Sequence, residues 1–65
     1  WIIGEAKTQL KKKDVETFLR RREIFERLFP GKKVYLLVTY MDVGDAEEYA
    51  RKKNIKVYYS YQFPL

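Results

Sequence analysis

Between Lys33 and Thr39 the chain reads Val34-Tyr35-Leu36-Leu37-Val38, with no polar residue to mark an outward face. A run this short is strand-sized and cannot cross a membrane. A strand that is apolar on both faces has to be covered on both, which makes it the central strand of a parallel sheet. The rest of the chain must therefore supply flanking strands and the helices that cross between them.

The neighbouring segments fit that demand. Residues 1–9 read as a strand, with Trp1, Ile3, Glu5, Lys7 and Gln9 on one face and Ile2, Gly4, Ala6 and Thr8 on the other. Residues 13–29 read as a long helix, with Asp14 as N-cap, Glu16 in the first turn and Pro30-Gly31 as the stop. Val15, Phe18, Leu19, Phe25 and Phe29 form its apolar stripe, broadened by Ile24 and Leu28. Lys33 to Tyr40 is the second strand. Asp42 or Asp45 opens a shorter helix that is acidic early and closes on Arg51, Lys52 and Lys53, the order the helix dipole favours. Asn54 is expected as a left-handed cap, Ile55 to Tyr61 as a third strand, and Pro64 as the end of the segment. Strand–helix–strand–helix–strand means an α/β fold with a mostly parallel three-stranded sheet.

With strands in sequential order, right-handed crossovers put both helices on one face. The other face then shows alternate apolar residues, and self-association follows, as a two-fold homodimer through the first strand or the uncovered face.

Composition limits the chemistry. The 65 residues hold 14 Lys plus Arg against 9 Asp plus Glu, a formal net charge of +5, and no Cys or His. That size allows one small domain, and 17% aromatic content argues against disorder. Disulfides, thiolate chemistry, zinc–thiolate clusters and an imidazole base are excluded. What remains is carboxylate, lysine, arginine, hydroxyl, amide and a hard metal ion. Neither a spanning segment nor a leader-like apolar stretch is visible, so a cytoplasmic protein is expected. One Asn, two Gln and one Met amid many Lys and Glu resemble thermophile composition. A chain beginning at Trp1 reads as a piece of something longer.

One constellation has a reactive look: Glu5-Ala6-Lys7, with Gln9 two residues on. On a strand these side chains line up at about 7 Å intervals. A carboxylate to hold a divalent cation, a lysine to orient water and phosphoryl oxygen, and an amide beside the phosphate are what phosphodiester hydrolysis requires. The bland alternative is an edge-strand charge pair facing solvent. Lys11, Lys12 and Lys13 follow at once, either as a phosphate-binding loop or as a solvated turn.

Arg22 interrupts the apolar stripe of the first helix. The simpler expectation is a packed stem and an escaping head. The functional one has Arg22 reaching Glu5 or a bound phosphate, among the nucleic-acid-binding residues. Arg20, Arg21 and Arg22 cannot form one patch, because successive residues turn about 100° round a helix. Lys32 and Lys33 read as a solubilising turn. Tyr58, Tyr59 and Tyr61 read as sheet packing or as a contact with a missing element or a partner chain, and Gly4 as a close backbone approach or a bulge.

Gly4-Glu5-Ala6-Lys7-Thr8, then Lys12-Lys13-Asp14-Val15, Phe29-Pro30-Gly31-Lys32-Lys33-Val34 and Tyr49-Ala50-Arg51-Lys52-Lys53-Asn54-Ile55 together resemble the PD-(D/E)XK nuclease superfamily, especially its small archaeal and bacterial proteins of uncharacterised function. The resemblance implies a partial restriction-endonuclease-like core over residues 1–65, with Glu5 and Lys7 as the (D/E)xK pair. Glu5 and the Ala6 carbonyl would bind Mg²⁺ or Mn²⁺, Lys7 would activate water, Gln9 would act as a polar helper, and DNA would be the substrate. The first helix, two strands and the motif's metal-binding Asp would precede Trp1, so half an active site is expected here. The alternative is a non-catalytic α/β nucleic-acid-binding or dimerisation module.

Overall fold

The computed structural model describes residues 1–62; Pro64 lies outside them. Strand β1 covers Ile2–Leu10, helix α1 Lys12–Leu28, strand β2 Val34–Asp42, helix α2 Ala46–Lys52 and strand β3 Lys56–Tyr59, followed by a 3-10 turn at Ser60–Gln62. The sheet has the order β1-β2-β3 with both pairings parallel, so the α/β topology is as expected and β2 is central. Among the described residues no helix is long and apolar enough to cross a membrane.

Both helices lie on one face. Tyr35, Leu37 and Thr39 of β2 and Val57 of β3 turn toward them and are buried with Val15 and Phe18 of α1 and Ala46 and Ala50 of α2. Two alanines on α2 let that short helix sit close to the sheet. Tyr35 meets Phe18 edge-on at 6.1 Å and donates its hydroxyl to Glu26 Oε1 at 2.8 Å, so the polar tip of a core ring is satisfied. Lys33, expected in a solubilising turn, has a side chain only 2% exposed and lies 3.6 Å from Glu26. Its stem covers the core edge while its ammonium meets the same carboxylate.

Caps depart from expectation in detail. Lys11, not Asp14, is the N-cap of α1. Asp14 acts from the third helical position, accepting the Lys11 N–H at 3.0 Å, which is half of a capping box. Asp42 accepts the Glu47 N–H at 3.0 Å at the start of α2, while Asp45 takes a left-handed conformation, φ 57°. Asn54 is left-handed as expected, φ 63°. Ile24 and Leu28 do not broaden the buried stripe; they are 54% and 65% exposed. Helical phase explains this, since Phe18 and Arg22 hold the core-facing direction and both residues lie outside it.

The strict alternation of β1 ends at Lys7. The β1–β2 ladder skips Thr8 and Tyr40. There the buried Thr39 hydroxyl lies 3.3 Å from the Thr8 carbonyl and 3.0 Å from that of Met41. Beyond this irregularity Leu10 turns into the core and is fully buried. Tyr61 falls in the 3-10 turn rather than on β3, where it stacks on Tyr59 at 5.4 Å and meets Tyr40 edge-on at 6.1 Å.

The face away from the helices carries Ile2, Gly4, Ala6, Leu36, Val38, Tyr40 and Tyr58 and is only partly shielded; Ile2 is 77% exposed. Gly4 belongs to this face, opposite to Glu5. A Cβ there would lie 2.8 Å from Leu36 Cδ1, so the close approach it permits is to a neighbouring side chain.

Two tyrosine–carboxylate pairs tie the helices to the sheet. The Tyr59 hydroxyl donates to Glu47, and the Tyr35 hydroxyl to Glu26. Those bonds are the main cause holding both carboxyls below their ordinary 4.5. Tyr59 is pushed up to about 12 chiefly by Glu47, and Tyr35 to about 12 chiefly by burial. A depressed carboxyl contributes stability above its unfolded value that is lost as pH falls through the folded one. A raised phenol contributes below 10 and loses its contribution as pH climbs toward 12. Thermal stability measured against pH should therefore hold level from about pH 5.5 to 9 and fall on both sides. Tyr59→Phe should lower stability by about 1–2 kcal/mol at neutral pH and weaken the alkaline fall.

Candidate functional site at the C-terminal end of the first strand

The Val34 N–H bonds to the Trp1 carbonyl at 2.9 Å. In a parallel ladder this sets the phase: Trp1, Ile3, Glu5 and Lys7 direct their backbone groups at β2, whereas Ile2, Gly4 and Ala6 direct theirs outward. Glu5 and Lys7 therefore share the helix-facing side of β1, and the Ala6 carbonyl between them points out of the sheet edge.

The environment of each is set by α1. Arg21 reaches down to Glu5 and pairs with it, leaving the carboxylate side chain 24% exposed. Lys7 is 43% exposed and lies 3.9 Å from Asp14, whose other oxygen is spent on the Lys11 N–H. A shallow depression opens beside Lys7, lined also by Thr8, Gln9, Lys11, Lys13 and Asp14. It sits where β1 ends and α1 begins, the carboxyl end of a parallel strand, where open α/β sheets hold ligands.

Lys7, Gln9, Lys11 and Lys13 are thus brought together. Lys12 is not: it turns to the other side of the helix start, near Asp45, Glu48, Tyr49 and Lys52. A single helical step separates it from its neighbours in direction.

Arg22 is also displaced from the expected site. Its guanidinium lies over the Tyr35 ring at 5.7 Å and donates to the Lys53 carbonyl at the end of α2. It points along the core between the helices, away from Glu5, and serves packing. The arginine that meets Glu5 is Arg21, which sequence reasoning passed over. The signal was present in the phase of the stripe: with Arg22 centred between Phe18 and Phe25, the preceding residue leans about 100° to one side.

As a metal centre the arrangement is partial. Among the described residues no group of three or more acidic side chains converges. Glu5 with the Ala6 carbonyl offers three oxygens against the six that Mg²⁺ takes, and Arg21 already engages one of the carboxylate pair, which leaves two.

The two arginines should separate on substitution. Arg22→Ala removes a cation–π contact and a helix-to-helix hydrogen bond, and should cost about 1–2 kcal/mol in urea unfolding. Arg21→Ala breaks an exposed pair and should cost less than about 1 kcal/mol.

In comparisons with known proteins the chain matches no family model, and no curated protein or solved structure shows significant similarity.

Proposed function

We propose that this chain is the carboxylate–lysine half of a metal-dependent nuclease site of the PD-(D/E)XK kind, with Lys7, Lys11 and Lys13 as a rim for the DNA backbone. The observation that carries the reading is the placement of Glu5 and Lys7 on one face of β1, beside a lysine-lined depression at that strand's C-terminal end. Basic side chains around a depression attract phosphate without reading sequence. Lys7 then stands next to the scissile phosphoryl group, where its ammonium orients water and offsets developing charge. Gln9 contributes an amide donor at the same rim. Glu5 and the Ala6 carbonyl would hold Mg²⁺ or Mn²⁺, which supplies a Lewis acid and an acidified water. Arg21 would have to release Glu5 for that, so it sets a threshold on cation binding. Hydrolysis also requires a further carboxylate, because three oxygens do not make a shell.

A second reading, a non-catalytic module that binds DNA phosphates, is favoured by the Arg21–Glu5 pair and by the absence, among the described residues, of three converging acidic side chains. Manganese separates the two. In NMR spectra of the chain, Mn²⁺ should broaden residues 4–7, more strongly in the Arg21→Ala variant. Broadening confined to the Asp45–Glu48 segment, in both proteins, leaves only the non-catalytic reading.

The lysine rim is tested separately by fluorescence anisotropy with a short DNA duplex at several salt concentrations. Changing Lys7, Lys11 and Lys13 together to Gln should weaken binding and reduce the salt slope by up to about 2.7, at about 0.9 for each lost phosphate contact. Lys12→Gln should leave the slope nearly as it is. An unchanged slope in the triple variant would remove the rim from the interface.

A further inference from the structure

Strand β1 lies at the edge of the sheet, and among the described residues no strand pairs with its outer side. It is nine residues long, without proline, and its ladder is regular as far as Lys7. A long regular edge is a template for pairing, and folded proteins cover or blunt such edges. Here the outward backbone groups belong to Ile2, Gly4 and Ala6, following from the Val34–Trp1 bond.

We propose that this edge pairs antiparallel with the same edge of a second copy, about a two-fold axis through Ala6, giving one continuous sheet with strand order 3-2-1-1-2-3. The charge pattern selects both the occupant and the register. Outward-facing residues must oppose outward-facing residues. An axis through Gly4 does so but sets Glu5 against the partner's Ile3 and Lys7 against the partner's Trp1, leaving both charges unmatched. The remaining central positions divide by charge. An axis between Gly4 and Ala6 sets Glu5 against the partner's Glu5. An axis between Ala6 and Thr8 sets Lys7 against the partner's Lys7. Like charges directly opposite are destabilising. Through Ala6 itself, Glu5 stands opposite the partner's Lys7 and Lys7 opposite the partner's Glu5. These are the non-hydrogen-bonded positions, where Cα atoms approach to about 4.5 Å and side chains interact most closely. Ala6 exchanges N–H and C=O bonds with the partner's Ala6, and its small side chain leaves the axis uncrowded.

Two further features agree. Each copy brings Glu5 and Asp14 together with Lys7 and Arg21, so no net charge gathers at the axis. Arg21 reaches Glu5, which places that side of α1 above the β1 edge, and Leu28, seven residues on, returns to the same side. Leu28 and Ile24 are the large apolar residues that α1 leaves exposed, at 65% and 54%. They widen the apolar area along the edge that the partner covers. Pairing takes up the Ala6 carbonyl and Lys7, so the dimer is a closed form of the half-site proposed above. The manganese broadening of residues 4–7 belongs to the monomer and falls as protein concentration rises. The pairing itself does not rest on that reading.

Sedimentation equilibrium on the 65-residue chain tests this, with circular dichroism to confirm folding. The chain should sediment as a dimer. Ala6→Pro removes only an outward N–H and should raise the dimer dissociation constant at least tenfold. Lys7→Glu, which sets two carboxylates opposite each other, should do the same, and adding Glu5→Lys to it should restore association. Because the chain has no cysteine, register is read directly. Ala6→Cys should be joined to its counterpart by a short bis-thiosulfonate reagent, since directly opposed hydrogen-bonded residues lie about 5.5 Å apart at Cα. Thr8→Cys should crosslink far more slowly. If Ala6→Pro fails to fold, Lys7→Glu and the cysteine pair decide. A monomer at high concentration, a dimer indifferent to Lys7→Glu, or equal crosslinking at positions 6 and 8 would each overturn the proposal.

Discussion

The structure depends on covering one side of β2. Tyr35, Leu37 and Thr39 present a continuous buried row, and every other element is placed by how it closes over that row. Val15 and Phe18 bring α1 down on it, and Ala46 and Ala50 let α2 approach beside them. Leu10, Ile55 and Val57 complete the buried cluster, Val57 lying beside Leu37 on β3. Two right-handed crossovers with strands in sequential order put both helices on the same side, and the cost is a second face that this chain does not cover. One topological rule thus accounts for both the core and the apolar surface opposite it.

The candidate site inherits its geometry from the same packing. Once the stripe of α1 is seated on β2, Arg22 is fixed over Tyr35 and Arg21 over the neighbouring strand. The N-terminus of α1 is fixed too, which brings Lys11 and Lys13 to the end of β1 and sends Lys12 toward α2. Glu5 is held by an arginine and Lys7 only loosely by an aspartate, so the lysine is the more available of the pair.

Much of this could be read in the chain. The unbroken apolar run of β2, the Pro30-Gly31 stop, the acid-to-base order of α2 and the left-handed Asn54 all speak through local rules, and they produced the topology. Rotation was harder. Sequence fixes which residues share a helical stripe to within a residue or two, but the direction in which that stripe is set against the sheet depends on packing. That is why Ile24 and Leu28 lie exposed, and why Arg21 rather than Arg22 meets Glu5. Lys33 departs from expectation for another reason: a long aliphatic stem can be buried while its charge is satisfied, and composition does not show it. The interruption at Thr8 and Tyr40 coincides with the Thr39 hydroxyl, which bonds along its own strand to the Met41 carbonyl and across the ladder to the Thr8 carbonyl. The cross-strand contact has no local signal.

The register has a consequence for how the chain folds. Residues paired between β1 and β2 are 32 apart in sequence, and those paired between β2 and β3 are 20 apart, so no sheet bond is local. Closing the longer loop costs about 0.4 kcal/mol more in chain entropy. With topology of this kind, helix α1 can form early while the sheet waits on distant encounters. The shorter loop gives the pairing of β2 with β3 a small entropic lead, against which β1 sets the longer ladder. Glu5 and Lys7 therefore depend on the more distant of the two pairings, and whatever loosens β1 from β2 disperses the candidate site directly.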